Sequence, residues 1–364
     1  MARIRVVTED DIPGVVGLVA RVYPEKQRHW PLRAEWESYF RDMLFGNPWH
    51  DPELPSWLAE ENGRVTGFYA ALPRRMMLDG RPIRAAVGCQ FMVDPASGDA
   101  LTWLQLAKAC LTGPQDLTLT DGANEHARRL WLGIGGTVPA LYSLHWMRPL
   151  RPTRYVLSLL EERAGFPRPL ALAARPLAAT ADAVASRCRQ NRFLREDSGL
   201  TEEPLDPAAM LEHLPEFLHG TALQPAYDED SLAWLLDQTM RKTMHGKLHA
   251  RAVLDGGRMI GWYLYYARAG GLGEVIQLAA RPGAYDRVLR HFLAAAWRHG
   301  AAAVRGRFDP RYLYEHSLRH CWLRQEVDWT LIHSRRADVM AAFHQGRAYF
   351  GRLEGEWWLR FLGG

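Results

Sequence analysis

One short stretch of the sequence has the residue types of an anion-binding loop. It reads PASGDALTWLQLAKACL and begins at Pro95. Small residues are followed by apolar residues at helical spacing, so we expect a loop that opens a helix. The first N–H groups of a helix have no partner within it, and they lie at the positive end of the helix dipole. The backbone from Ser97 to Leu101 is therefore a candidate site for a phosphate or another anion.

The cysteines and histidines show no metal-binding spacing. The four cysteines are scattered and form no CxxC pair: Cys89, Cys110, Cys188 and Cys321. The histidines include no HExxH pair. Zinc sites are usually built from ligands at such short spacings. We therefore expect reduced thiols, no disulfide framework and no bound metal.

One pattern occurs once in each half of the chain. NGRVTGFYAAL and GGRMIGWYLYY share Gly-Arg-x-x-Gly-aromatic-Tyr at an offset of 194 residues. A repeat of this length is too long for a solenoid and is typical of two copies of one domain. The repeat predicts that Gly63 and Gly257 lie on equivalent strands.

The length and composition favour two folded domains. The chain has 364 residues, and single cores stop growing at about 250 to 300 residues. We predict an N-terminal domain at 1–150, an arginine-rich connector at 151–200 and a C-terminal domain at 201–364. Hydrophobic residues make up 48% of the chain, which argues against disorder. With no long apolar run and an acidic stretch near the N-terminus, we expect a cytoplasmic protein.

The connector is unusually basic. Nine arginines face three acidic residues between Arg151 and Arg195. This segment is either a solvated linker or a surface for an anionic partner such as phospholipid, a carrier protein or RNA. The net charge of the whole chain is only +4, and we expect no DNA partner.

Hydrophobic patterns predict the element order β-α-β-β-β-α-β-α-β in the first half. IRVV followed by TEDDIPGVVGLVARVY predicts a strand and a helix, with Thr8 and Asp11 forming a capping box. Three apolar runs separated by turn residues predict an antiparallel meander over 57–60, 65–74 and 83–93. The stretches DLTLTDGAN, EHARRLWLGIGG and PALYSLHWMRPL then predict a strand, a helix and a closing strand.

This order and these motifs resemble the GCN5-related N-acetyltransferase (GNAT) superfamily. The matching stretches of the first half are RVVTEDDIPGVVGLV, GRVTGFYA, FMVDPASGDALTWL and NEHARRLWLGIGG. Those of the second half are HARAVLDGGRMIGWYLYYA and EVIQLAARPGAYDRVLRHFLAAAWRHGAAAVRGRF. The ending FHQGRAYFGRLEGEWWLRF resembles a tail common in two-domain bacterial members. The resemblance implies an α/β fold with mixed sheets, arranged as two tandem GNAT-like acyl-CoA N-acyltransferase domains.

The resemblance also implies where a coenzyme A thioester binds. In the family, the pantetheine arm enters where two central strands part, and the pyrophosphate lies on the loop that opens the next helix. The residues implied here are Met92, Val93, Ser97, Gly98, Asp99, Ala100, Leu101 and Asn124. Pro95 replaces the Arg or Gln of the family's loop, and Asp99 adds a negative charge. The second copy has Arg281-Pro282-Gly283-Ala284-Tyr285 at this place, so we expect one donor per chain.

The usual catalytic acid of the family is absent. It is a Tyr in the helix that follows Asn124, and Trp131, which cannot donate a proton at neutral pH, stands there instead. The candidate replacement acids and bases are His126, Tyr142, His145 and Glu274. An alternative is catalysis by positioning, with deprotonation through water.

The function implied by the resemblance is transfer of an acyl group to an amine of a small or amphiphilic acceptor. The donor would be acyl-CoA or acetyl-CoA, or phosphopantetheine on an acyl carrier protein. Glu274 would then contact the acceptor. Three rivals remain open: long-chain acyl transfer to a lipid amine through peripheral membrane contact, an aminoacyl-tRNA-dependent transferase, and a catalytically inactive GNAT-like binding scaffold.

Overall fold

The two halves of the chain have similar series of strands and helices. The computed structural model describes residues 2–24, 33–96, 100–161, 167–187, 199–326 and 328–356. The first half contains β1 Arg3–Val6, α1 Ile12–Val22, α2 Arg33–Leu44, β2 Trp57–Glu61, β3 Arg64–Leu78, β4 Arg81–Val93, α3 Ala100–Leu111, β5 Leu117–Ala123, α4 Glu125–Gly133 and β6 Leu144–Pro149. Two connector helices follow, α5 Pro152–Glu161 and α6 Arg168–Ala185.

The second half follows a similar series, with an extra strand between its first two helices, a second strand after its fourth helix and a final helix. Its elements are β7 Thr201–Pro204, α7 Pro207–Phe217, β8 Leu223–Pro225, α8 Glu229–Arg241, β9 Lys247–Asp255, β10 Arg258–Ala267, β11 Leu272–Ala280, α9 Tyr285–Arg298, β12 Ala303–Arg307, α10 Leu313–Leu318, β13 Trp322–Gln325, β14 Trp329–His333 and α11 Ala337–His344. No helix within the described ranges has the length and apolar character that crossing a bilayer requires.

The strands form two mixed sheets. The first sheet has the order β1-β2-β3-β4-β5-β14, with β8 paired to β3. The second has the order β13-β6-β12-β11-β10-β9-β7. The pairs β4–β5 and β11–β12 are parallel, and each is connected by a helix, as parallel strands require. The fold is therefore mixed α/β, as predicted.

The two halves exchange their closing strands. β6 follows the elements of the first sheet but pairs with β12 in the second, where Met147 lies opposite Arg305. β14 follows the second sheet but pairs with β5 in the first, where Leu331 lies opposite Thr120. The stretch PALYSLHWMRPL therefore does contain a strand, but its hydrogen bonds go to the other half. Each exchanged strand covers an edge that would otherwise be left unpaired.

The repeated glycines occupy corresponding places. Gly63 and Gly257 lie in the turns before β3 and β10, with φ of 72° and 84° that favour glycine. Gly67 faces α3, where an added Cβ would lie 2.8 Å from Leu106 Cδ1. Gly261 faces α9, where it would lie 2.6 Å from Val288 Cγ2. The second glycine of each motif thus lets a helix approach the third strand of its sheet.

The two halves share one large apolar core. Its buried members include Ile12 and Phe40 from the first half and Met210 and Leu232 from the second. Phe350, in the segment after α11, belongs to the same cluster. The segment 349–356, called here the tail, therefore lies between the two sheets and contacts both.

Candidate active site

In each sheet the two parallel central strands part after three paired residues. β4 and β5 pair from Ala85 with Leu117 to Val87 with Leu119, and then diverge. We call the gap between 88–93 and 120–123 the first wedge. β11 and β12 diverge after Glu274 and Arg305, and the gap between 275–280 and 306–307 is the second wedge. A gap of this kind can hold an extended ligand beside a strand.

Protein groups fill the second wedge. Gly306 lies against the Trp146 indole, since an added Cβ would be 2.8 Å from its Nε1. The backbone N–H of Arg352 donates to the carbonyl oxygen of Ile276 at 3.2 Å. Tyr349 and Phe350 also line this region, and the cavity between these groups measures about 30 Å³. An acyl thioester has no room there.

The helix beside the second wedge also has a covered N-terminus. Tyr285, in the first turn of α9, is buried and stacks on Tyr312 with ring centroids 3.5 Å apart. Asp286 forms an ion pair of 2.6 Å with Arg319 of the neighbouring segment. In contrast, Ala100 and Leu101 in the first turn of α3 are exposed, and that turn holds no acidic residue. Among the described residues, the first turn of the helix beside the first wedge is therefore exposed, whereas that beside the second wedge is covered.

A run of aromatic rings lines one side of the first wedge. Tyr69 stacks on Phe91 at 4.2 Å, Phe91 meets Trp103 edge-on at 4.6 Å, and Trp103 meets His126 at 5.0 Å. The Tyr69 hydroxyl lies against Gly88, where an added Cβ would be 2.4 Å away. Burial raises the pKa of Tyr69 well above its usual value, so the phenol stays protonated.

The tail reaches the first wedge through Glu356. Its carboxylate accepts a hydrogen bond from the Thr120 hydroxyl, and its backbone N–H donates to Asp121 Oδ1 at 2.6 Å. Burial raises the pKa of Tyr39 in α2, and the neighbouring Cys89 and Glu356 raise it further. The wedge is thus bordered by a carboxylate and by hydroxyl groups that the sequence analysis did not single out. In the sequence this carboxylate ends the stretch GRLEGE, and no other feature of the sequence marks it as a site residue.

A buried ion pair joins the two sheets beside Glu356. Arg307 of β12 donates to Asp121 Oδ2 of β5 at 3.0 Å. It also donates to the Tyr142 carbonyl oxygen at 2.5 Å and to the Thr330 hydroxyl at 2.6 Å. Both charged side chains are at most 2% exposed. Asp121 and Arg307 occupy equivalent positions in the two copies, because each follows by two residues the last paired residue of its strand, Leu119 in β5 and Arg305 in β12.

The four predicted catalytic residues lie in different places. His126 is exposed on α4, and His145 is buried on β6 opposite Arg307. The Tyr142 hydroxyl donates to the Ala348 carbonyl oxygen at 2.8 Å and accepts from the Ala348 N–H at 3.0 Å. This gives Tyr142 a structural role in holding the residue that precedes the tail, and burial raises the pKa of its phenol.

Glu274, the fourth candidate, has both carboxylate oxygens bound by arginines. Arg305 Nε donates to one oxygen at 3.2 Å, and Arg352 Nη1 donates to the same oxygen at 2.6 Å. A second Arg305 nitrogen donates to the other oxygen. Burial by itself raises the pKa of Glu274, but Arg352 and Arg305 outweigh it and lower the pKa to about 2. A carboxylate held in this way is a weak base.

Two of the predicted donor-binding residues lie within the first wedge, and three others that the structure describes lie close to it in the sequence. Met92 and Val93 are buried at the end of β4, opposite Phe68 and Gly67. Asn124 caps α4, and its side chain accepts from the Ala127 N–H at 2.9 Å. Ala100 and Leu101 form the exposed start of α3 noted above. The remaining three, Ser97, Gly98 and Asp99, lie outside the described residues.

Comparison with known proteins places this geometry in a familiar fold. The chain matches no protein-family model and no curated protein. It is similar to solved structures of GCN5-related N-acetyltransferases from Anabaena variabilis (TM-score 0.58, 12% identity, 91% of this chain and 72% of that one) and Kribbella flavida (0.54, 14%, 94% and 73%). A protein from Enterococcus faecalis described as a probable N-acyltransferase is also similar (0.56, 10%, 92% and 73%). The chain thus has the fold of the GCN5-related N-acetyltransferases.

Proposed function

We propose that the protein is an N-acyltransferase that takes its acyl thioester in the first wedge only. The difference between the two wedges is the observation that carries this proposal. The second wedge is filled by Trp146 and the tail, and the helix N-terminus beside it is covered. The first wedge adjoins an exposed helix N-terminus and a carboxylate.

The start of α3 would hold the phosphate end of the donor. Backbone N–H groups of the first helical turn suit an anion, and neither Ala100 nor Leu101 competes with it by charge. The pantetheine arm would extend along β4 past Val93 and Met92. The same arrangement serves coenzyme A or the pantetheine of an acyl carrier protein, because both carry a phosphate at that end.

Glu356 would take the proton from the acceptor amine. During transfer the amine nitrogen bonds to the thioester carbonyl carbon and the carbon–sulfur bond breaks. An ammonium acceptor gives up two protons overall: one passes to the departing thiolate and the other leaves through Glu356 to solvent. Tyr69 remains protonated and can donate a hydrogen bond to the leaving sulfur. Glu274 takes no part in this step, because Arg305 and Arg352 bind its carboxylate.

Titration calorimetry with acetyl-CoA tests the donor site. We expect one donor per chain, and at least tenfold weaker binding in Leu101→Glu, because the new carboxylate repels phosphate. The same carboxylate at a helix N-terminus should stabilise the fold by about 0.3 to 1 kcal/mol, so lost binding would not reflect unfolding. Leu177→Glu is the matched control, since Leu177 is 75% exposed on α6. Two donors per chain, or equal affinity in both variants, would contradict the proposal.

One observation favours acyl transfer at a membrane surface as a second candidate. Leu170, Leu177 and Val184 follow one another at intervals of seven along one face of α6, and each is more than half exposed. Anionic vesicles should then bind the protein more strongly than zwitterionic ones do, and Leu177→Glu should reduce that binding. Equal sedimentation of the wild type and this variant with anionic vesicles would remove the candidate.

A catalytically inactive scaffold would give a different result. It would bind the donor but release no free thiol from it, whichever amine is offered as acceptor.

A further inference from the structure

The second half contains a cavity that the acyl-transfer proposal does not use. It has a volume of about 770 Å³ and lies between the connector helix α5, the segment after α8, the β10–β11 turn and β13. Cavities of this size accept molecules the size of a metabolite or a drug. We call it the arginine pocket, after three of its lining residues: Arg268, Arg305 and Arg324.

The floor of the arginine pocket is a fixed network of charges. Arg305 is held between Glu274 and Glu326, the latter at 2.5 Å. Behind Glu274, the buried Arg352 donates to the same carboxylate at 2.6 Å. A guanidinium gripped on two sides keeps its orientation, so little side-chain entropy is lost when a ligand binds to it. Arg305 is only a quarter exposed, yet it lines the cavity.

The pocket carries an excess of positive charge. Arg268 and Arg324 are exposed at its rim, and within the described residues neither is paired with a carboxylate. With Arg305 and the underlying Arg352 they make four arginines, against two glutamates, Glu274 and Glu326. His245 does not change this balance, because burial lowers its pKa to about 4 and leaves it neutral near pH 7. An anionic group is therefore favoured, and a cation is not.

The opposite wall of the pocket is apolar. It consists of Met147, Leu159, Met244, Leu272 and the ring of Tyr155, whose hydroxyl is engaged with the Met147 sulfur at 3.0 Å. A small inorganic anion would leave this wall unused. A ligand with an apolar body and an anionic end would contact both parts of the cavity.

We propose that the arginine pocket binds a second ligand, a small molecule with an apolar body and a carboxylate or phosphate group, at a site separate from the first wedge. The anionic end contacts Arg268, Arg324 and the exposed part of Arg305. The apolar body lies against α5, so the connector supplies one wall of a binding site as well as linking the two halves. The inference does not depend on the acyl-transfer proposal, because it concerns a different cavity.

Calorimetry with simple probes tests the site. Phenyl phosphate and phenylacetate represent the two anionic groups, benzyl alcohol is the neutral control, and inorganic phosphate lacks the apolar body. We expect saturable binding of at least one aromatic anion, at least tenfold weaker binding of inorganic phosphate, and none of benzyl alcohol. The proposal fails if benzyl alcohol binds as well as both anions, or if neither anion binds.

Matched variants locate the binding to the pocket. Arg268→Gln combined with Arg324→Gln should weaken the aromatic anion at least tenfold, and both positions are exposed, so the fold is retained. Arg258→Gln removes an exposed arginine outside the pocket and should leave affinity unchanged. Saturating acetyl-CoA should also leave it unchanged. Equal loss in the double variant and the control, or competition by acetyl-CoA, would overturn the assignment. Failure to bind acetyl-CoA would instead count against the first-wedge donor site alone.

Discussion

Replacing Arg307 by methionine should destabilise the protein more than any single change at an exposed arginine. Arg307 makes four hydrogen bonds to groups of the first half or the exchanged strands: two to Asp121, one to Tyr142 and one to Thr330. Methionine keeps most of the volume but removes every one of them. Within the described residues, the buried Asp121 carboxylate still accepts a hydrogen bond from the N–H of Glu356.

The size of the effect follows from this burial. Removing one partner of a buried ion pair typically costs about 3 to 5 kcal/mol, because the other charge stays buried. Asp121→Asn should cost less, about 1 to 3 kcal/mol, since Arg307 keeps three oxygen acceptors, including the carbonyl of residue 121. A chain of 364 residues that unfolds as one unit has an unfolding entropy of about 0.8 kcal/mol per kelvin. Arg307→Met should therefore lower Tm by roughly 4 to 6 °C, and Asp121→Asn by roughly 1 to 4 °C.

Differential scanning calorimetry at neutral pH measures both shifts. Arg335→Met, at an exposed position, is the control and should change Tm by less than about 1 °C. The reasoning is refuted if Arg307→Met is no more destabilising than Arg335→Met, or if Asp121→Asn is the more harmful change. Two separate melting transitions would show that the halves unfold independently despite the exchanged strands.

Three further predictions concern the wedge, the repeat and acid stability. Glu356→Gln should lower kcat by about 10²- to 10⁴-fold and leave the donor Kd unchanged, because glutamine still accepts a hydrogen bond from Thr120 but cannot take a proton. An unchanged kcat would exclude Glu356 as the base. Gly261→Ala should lower the free energy of unfolding by about 1 to 3 kcal/mol, and by more than Gly67→Ala does. The new Cβ at Gly261 would lie 2.7 Å from a backbone carbonyl oxygen, whereas the one at Gly67 would meet a leucine methyl that can move; urea unfolding of both variants tests this order. Burial lowers the pKa of His316 to about 3, so its contribution to stability is present above pH 6.5 and falls by up to about 1.4 kcal/mol per pH unit as the pH drops towards 3. His316→Gln should therefore flatten the acid limb of a curve of Tm against pH, and an unchanged slope would contradict this.

Local patterns were enough to predict the central strands and the repeat. The turns before β3 and β4 are marked by Asn-Gly and Asp-Gly, and the meander was predicted within a few residues of 57–61, 64–78 and 81–93. α2 was missed although Trp36, Phe40, Met43 and Leu44 have helical spacing. Its charged residues lower the mean hydropathy of the segment and obscure the apolar face.

The candidate site was less predictable, because it depends on contacts between distant segments. Thr120 and Glu356 are 236 residues apart and meet only because the tail lies between the sheets. No short motif encodes that contact, and the same holds for Asp121 with Arg307. The exchange of β6 and β14 is equally hidden, since a strand's own residues show which faces are buried but do not identify its neighbour.

The exchanged strands bear on how the molecule is assembled. Between two identical subunits, reciprocal exchange of a closing strand is domain swapping, and the resulting dimer dissociates on dilution. Here both partners belong to one polypeptide, so the exchange is intramolecular and its stability does not depend on protein concentration. A gene fusion of two swapped subunits would produce this arrangement directly. A protease cut within the connector would then leave a complex of two fragments, each still completing the other's sheet.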